Sequence, residues 1–425
     1  MKNWILACFF AGALCNAVEP GSVLFLHPDG TGIGHWYAGR LIAAGPDGQL
    51  NWDRIEHISV YEGHQRGWLS TSSHAGATAH AYGKKVHPNS YGMDRKKKLT
   101  AASGADQSLM QEAIAAGIRC GIVNSGHIGE PGTGVYLASV KKRKNVESIA
   151  EQIIASGAEV IFCGGEIFLL PENVRGRHGQ HGVRTDGKNL IQTAEALGYR
   201  VIYSREELMA LPENAGKVLG IFAATDTYRV QSEEQLKTQG LETYDPQAPT
   251  LAEMTDKALE LLGSDPERNF LLVAEEEGTD NFSNATNAQG MIDAVLRADA
   301  AIGKALTYMQ ANPDRKLLLL IAADSDAGRP AVWAPHGLDP EAPLPAATNR
   351  GAALDGAEGS QSLPFLSAAD ANGKRHAFGI AWPYSFDMQG GVLARSTGYR
   401  SDLLPPLIHN TGIYDLMYQV LFGQN

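Results

Sequence analysis

Three acids close apolar runs: Asp29 ends "VLFLHPD", Glu275 ends "NFLLVAE" and Asp324 ends "LLLLIAAD". If those runs are parallel strands, their carboxyl ends share one edge of a sheet, which is where open α/β proteins hold ligands. Carboxylates gathered at one edge repel unless a cation holds them, so the pattern points to a metal centre. Three unrelated solvated acids are the plainer alternative. A second chemical stretch is "LSTSSHAGATAHAYGKK", residues 69–85, where Thr71, Ser72 and Ser73 precede a helix made mostly of small residues. The hydroxyls can be N-caps. One of them can equally be a nucleophile, because the dipole and free N–H groups of a helix N-terminus favour an alkoxide and an incoming anion.

These groups need a frame to bring them together. Short apolar runs alternate with helical patterns: "GSVLFLHPDG", then "QSLMQEAIAAG" before "IRCGIVNSG", "VESIAEQIIASG" before "AEVIFCGG", and "AEALG" before "YRVIYS". "KVLGIFAA", "NFLLVAEEEG" and "KLLLLIAADSD" follow, the last two separated by the helical "GMIDAVLRADAAIGKALTYMQ". This βαβ rhythm predicts an α/β fold with a mostly parallel central sheet flanked by helices on both faces. The chain reads as one catalytic domain over 18–425, with an irregular insertion rich in Pro, Gly and Ala at about 329–386.

Residues 1–17 read as a signal peptide, with one Lys, an apolar run short for a membrane span, and small residues before Val18. That places the mature chain in the periplasm or outside the cell. The net charge of −11, or −12 once Lys2 is removed, argues against nucleic acid as a partner. Cys8 and Cys15 leave with the leader. Cys120 and Cys163 lie in strand-like runs and are expected as buried free thiols.

Taken in order, "LHPDGTG", "TSSHAGATAHAYGKK", "VKKRK" before "SIAEQI", "VIFCGG", "PTLAEMTDKALELL", "LLVAEEEGTDN", "LLIAADSDAG" and "LIHNTGIYDLMYQVLFG" resemble the alkaline phosphatase family from about Ser22 to the C-terminus. The resemblance implies a phosphomonoesterase acting on small-molecule phosphate esters through a phosphoserine, with two or three divalent ions and a dimer common among its members. It makes Ser73 the nucleophile and Arg143 the clamp on two phosphate oxygens, a task suited to a planar fork of donors. Asp29 becomes the carboxylate shared between two metals. Glu275 with Thr133 and Glu130 falls to a third, magnesium-type site.

The chain departs from the family at the other two metals. Asp280 and Asp324 are in place, but three expected histidines are Asn284, Ser325 and Asp387. All three replacements can still donate oxygen to a cation, which suggests retuning towards manganese, calcium or magnesium, zinc being better served by imidazole. A phosphodiesterase or sulfatase of the same superfamily, or an inactive phosphate- or metal-binding homologue, remains as an alternative. The resemblance gives no ligand role to His35, His64, His74, His80, His127 or His409, and Glu276 and Glu277 read as solvated extensions of an acidic run.

Overall fold

The computed structural model describes residues 18–424, so the expected leader lies outside the described residues. The apolar runs form a ten-stranded sheet. Its order is Leu407–His409, His57–Glu62, Leu393–Gly398, Leu317–Ile321, Ser22–Pro28, Phe270–Glu276, Arg119–His127, Val160–Gly164, Val218–Ile221, Arg200–Ile202. Every neighbouring pair is parallel except the two made by Leu393–Gly398. Ser22–Pro28 lies between Leu317–Ile321 and Phe270–Glu276, so the three acid-bearing ends meet at the centre of one edge.

Side-chain alternation decides which face those acids occupy. Val23, Phe25, Leu271, Val273, Leu318 and Leu320 enter one core, while Leu24, Leu26, Leu272, Ala274, Leu319 and Ile321 enter the other. Each such buried side chain contributes about 1.5–3 kcal/mol relative to exposure, and a one-residue slip would exchange the two sets. With a period of two, His27, Asp29, Glu275 and Asp324 continue the first set. That face also receives Ala77, Ala81 and Tyr82 from the helix Ser73–Tyr82 and is backed by the helix Asn410–Phe422. The opposite face is covered by Leu251–Gly263 and Ala288–Ala311. Leu251–Gly263 starts at a reciprocal cap between Thr250 and Glu253.

The segment expected to be irregular carries five short strands: Ala331–Trp333, Ala353–Gly356, Gly359–Ser360, Phe365–Leu366 and Ala377–Trp382, paired antiparallel into a small sheet. They are too short to show period-two patterning. Gly351, Gly359 and Gly373, in the left-handed region, supply turns among them. Cys120 and Cys163 are buried free thiols whose titration burial pushes up. No described helix is long and apolar enough to cross a membrane.

Candidate active site

Ser73 is the first residue of its helix, and Ser72 before it is extended and makes no side-chain capping bond. Ser72 Oγ instead donates to Gln65 at 3.4 Å. The helix is fully buried along its ten residues, and its small side chains have a direct reason. A Cβ on Gly76 would stand 2.5 Å from the Asp324 Cβ. The helix is therefore pressed against the strand end that carries Asp324.

Asp29 and Asp324 are fully buried beside Ser73, and none of their four carboxylate oxygens receives a hydrogen bond. Burial opposes ionisation of both. His27, Asp324 and the Ser73 hydroxyl nevertheless hold Asp29 below the usual carboxylate range, while burial and Asp29 push Asp324 well above it. Two adjacent buried carboxyls do not both ionise without a cation. Ser325 Oγ, next along the chain, is likewise buried without a partner.

A second group forms where the Asn284 amide donates to Asp280 Oδ2 at 2.9 Å and to Asp387 Oδ1 at 3.0 Å. Asp280 Oδ1 and Asn284 Oδ1 remain buried and free, so two oxygens still face inward. Burial and then Asp387 push the Asp280 carboxyl well above its ordinary value. Asp29, Glu277 and Asp280 each offer an oxygen within 4.8 Å of the others, which links this group to the first.

Glu275 lies opposite His27 on one neighbouring strand and Asn124 on the other. The Asn124 amide donates to Glu275 Oε2 and, at 2.9 Å, to Thr133 Oγ1. Burial and Asp29 push the Glu275 carboxyl up to about 8. Glu130 is occupied differently. One of its oxygens accepts from His127 Nε2 at 2.9 Å and the other from Arg143 Nη2 at 3.3 Å. Arg143 Nη1 donates to His74 Nε2 at 3.1 Å. Burial and Arg143 push His74 down to about 3, so it stays a neutral acceptor.

Residues 22–331 match the family described as alkaline phosphatase. The chain belongs to the alkaline phosphatase family. It is 26% identical over 342 residues to alkaline phosphatase H of Pseudomonas aeruginosa, covering 71% of this chain and 68% of that one. Its fold is similar to that of alkaline phosphatase from the Antarctic bacterium TAB5, with a TM-score of 0.71 and 17% identity over 96% of this chain and 99% of the other. A variant of the TAB5 enzyme, at a TM-score of 0.69, 17% identity and coverage of 95% of this chain and 99% of that one, has Mg bound in its M3 site. The chain is a phosphoric monoester hydrolase of this family.

Within this alkaline phosphatase the structure brings together Ser73, Asp29, Asp324 and Ser325, and beside them Asp280, Asn284 and Asp387. Glu275 and Thr133 meet through Asn124. Glu130 sits with Arg143, His127 and Asp226, and burial pushes Asp226 up to about 6. Two readings change. Glu276 and Glu277 are buried, not solvated. Glu276 Oε1 accepts from Ser125 and Tyr244 at 2.7 Å each and so braces the strand end. Glu277 joins the carboxylate cluster. His74 and His127 are tied to Arg143 and Glu130. By contrast, His35 is a satisfied core histidine that accepts from Gly32 N and bonds Ser283 Oγ at 2.9 Å.

His27 is the residue that the sequence reading passed over. It lies two positions before Asp29 on the same strand, so the period-two rule already assigned it to the face that holds the acids.

Proposed function

We propose that this phosphatase is an exported, metal-dependent enzyme that hydrolyses phosphate monoesters through a phosphoserine at Ser73. The observation that carries the reading is the set of buried oxygens without donors on Asp29, Asp280, Asn284, Asp324 and Ser325, among which Asp29 lies beside the Ser73 hydroxyl and within reach of Asp280. Buried polar atoms left without partners are costly, and an all-oxygen donor set fits divalent hard cations. Asp29, Asp324 and Ser325 would hold one ion, and Asp280, Asn284 and Asp387 another. Such a pair supplies positive charge at the entering and leaving oxygens of a phosphoryl group.

The chain's own residues do the rest. Ser73 Oγ attacks phosphorus in line with the leaving alkoxide, and a phosphoserine forms. Asp29, held ionised, lies beside that hydroxyl, and the proton that Ser73 gives up ends on the oxygen of the departing alcohol. Arg143 presents its fork to two non-bridging oxygens, and His74 and Glu130 fix its plane from two sides. Water then attacks phosphorus from the side the alcohol left, and Ser73 Oγ departs with its proton restored. Export is supported by the composition of residues 1–17.

Chelator-stripped protein should regain p-nitrophenyl phosphate turnover with manganese, magnesium or calcium at least as well as with zinc. A phosphodiester and a sulfate ester should be poor substrates. Recovery with zinc alone would overturn the hard-ion assignment, and faster turnover of the diester or sulfate would overturn the substrate class.

A further inference from the structure

The imidazole of His27 is completely buried and stands between Asp29 and Glu275. Its Nδ1 is 2.7 Å from the carbonyl oxygen of Ala322. A carbonyl only accepts, so Nδ1 carries the proton and donates it. With Nε2 deprotonated, the ring turns that nitrogen's lone pair towards two carboxylates, and Nε2 has no hydrogen-bond partner. Asp29 Oδ1 is 3.3 Å from Nε2 and Glu275 Oε1 is 4.0 Å away, and both oxygens are also buried without a donor.

Three unpartnered ligand atoms therefore surround one point, all within 4.8 Å of one another. The separations are long for charge-assisted hydrogen bonds, which run about 2.7–2.9 Å. They suit donors spaced around one ion at bond lengths of about 2.0–2.2 Å. A ring N–H given to a backbone carbonyl is the usual way a ligating histidine is oriented. The chain also makes room at this point. A Cβ on Gly132 would stand 1.8 Å from Glu275 Oε1 and 2.6 Å from the His27 Cδ2, so only glycine lets that backbone lie across the cluster.

We propose that His27 Nε2 is a metal ligand, completing with Asp29 and Glu275 a third cation site of mixed nitrogen and oxygen donors. The proposal rests on the metallophosphatase reading in taking the two carboxylates as ligands. Its consequence is a division of labour. The two sites around Ser73 have oxygen donors throughout, whereas the third, holding an imidazole, favours a borderline ion such as zinc or cobalt over magnesium.

The test uses the whole mature chain with ring-nitrogen-labelled histidine, stripped with chelator and loaded with the NMR-active cadmium isotope. One cadmium resonance should show coupling to one imidazole nitrogen. His27→Gln should abolish that coupling while the remaining cadmium resonances persist. Glu275→Gln, which spares the imidazole, should shift the coupled resonance and no other. Cadmium bound without coupling to imidazole, or a coupling that survives in His27→Gln, would overturn the proposal. So would a His27 ring that stays doubly protonated with cadmium present, because a proton would then hold the place of the ion. Turnover of p-nitrophenyl phosphate by unlabelled protein reloaded with manganese or magnesium reports separately on the function: coupling in the cadmium form without turnover in these forms would sink the phosphatase mechanism and leave His27 ligation standing.

Discussion

Gly76→Ala sets two physical effects against each other. Alanine is the better helix former by about 0.5–1 kcal/mol, so propensity alone says that the change stabilises the helix Ser73–Tyr82. Yet the new Cβ would lie 2.5 Å from the Asp324 Cβ and 2.8 Å from its Oδ2. Ordinary carbon contacts fall at about 3.5–4.0 Å, so helix and strand end must separate by about 1 Å. Asp324 is completely buried and cannot swing out to solvent. Overpacking of this kind costs about 1–3 kcal/mol, which exceeds the propensity gain. The same helix carries Ser73 one turn earlier, so the displacement moves the nucleophile away from the carboxylate it works with. A misplacement of about 1 Å costs about a hundredfold in rate. The assay pairs kcat for p-nitrophenyl phosphate with thermal unfolding of chelator-stripped protein. Turnover should fall about a hundredfold, with a lowered Tm. Full turnover together with a raised Tm would refute the packing argument.

Arg143→Lys keeps the charge and loses the fork, so kcat/KM should fall by about 1.5–3 kcal/mol in transition-state binding; unchanged steady-state kinetics would leave Arg143 outside the phosphate site. Asp387→Ala should remove one equivalent of bound manganese, read by elemental analysis, and lower kcat with it, whereas a full complement of ions would exclude Asp387 as a ligand. Away from the site, burial and Asp355 push Glu233 up to about 8 from its usual 4.5. Its folded pKa lies above the unfolded one, so the fold binds the extra proton and loses stability as pH rises through that window. Glu233→Gln should therefore raise Tm at about pH 8.5 and change it little near pH 5; an equal gain at both would contradict the linkage.

The central strands and the face that holds the acids were legible because hydrophobic alternation is a strong local signal and the acids sit at its ends. Ser73 and Gly76 were readable as an unusual helix start, but what the small residues made room for depended on Asp324, which is 248 positions away from Gly76 along the chain. The small antiparallel sheet was not readable, since strands of two to six residues carry too little pattern. Glu277 looked solvated because an acidic run usually is. Its backbone N–H donates to Ser125 Oγ, 152 positions away, at 3.0 Å and its Oε1 accepts from the Asn281 amide at 3.3 Å, and the long-range contact is one that no local pattern records. His27 was hidden in plain alternation. Its parity with Asp29 gave the face, but only the Ala322 carbonyl gives the tautomer that turns Nε2 inward.

The most direct measurement of the account is to trap the covalent intermediate. The metal-loaded protein is mixed with a radiolabelled phosphomonoester, quenched in acid, digested, and the labelled peptide sequenced by mass spectrometry. The phosphoryl group should be found on Ser73 and should be absent from Ser73→Ala. Label on Ser72 or Thr71, or turnover that persists in Ser73→Ala with no labelled peptide, would contradict Ser73 as the group that receives phosphate.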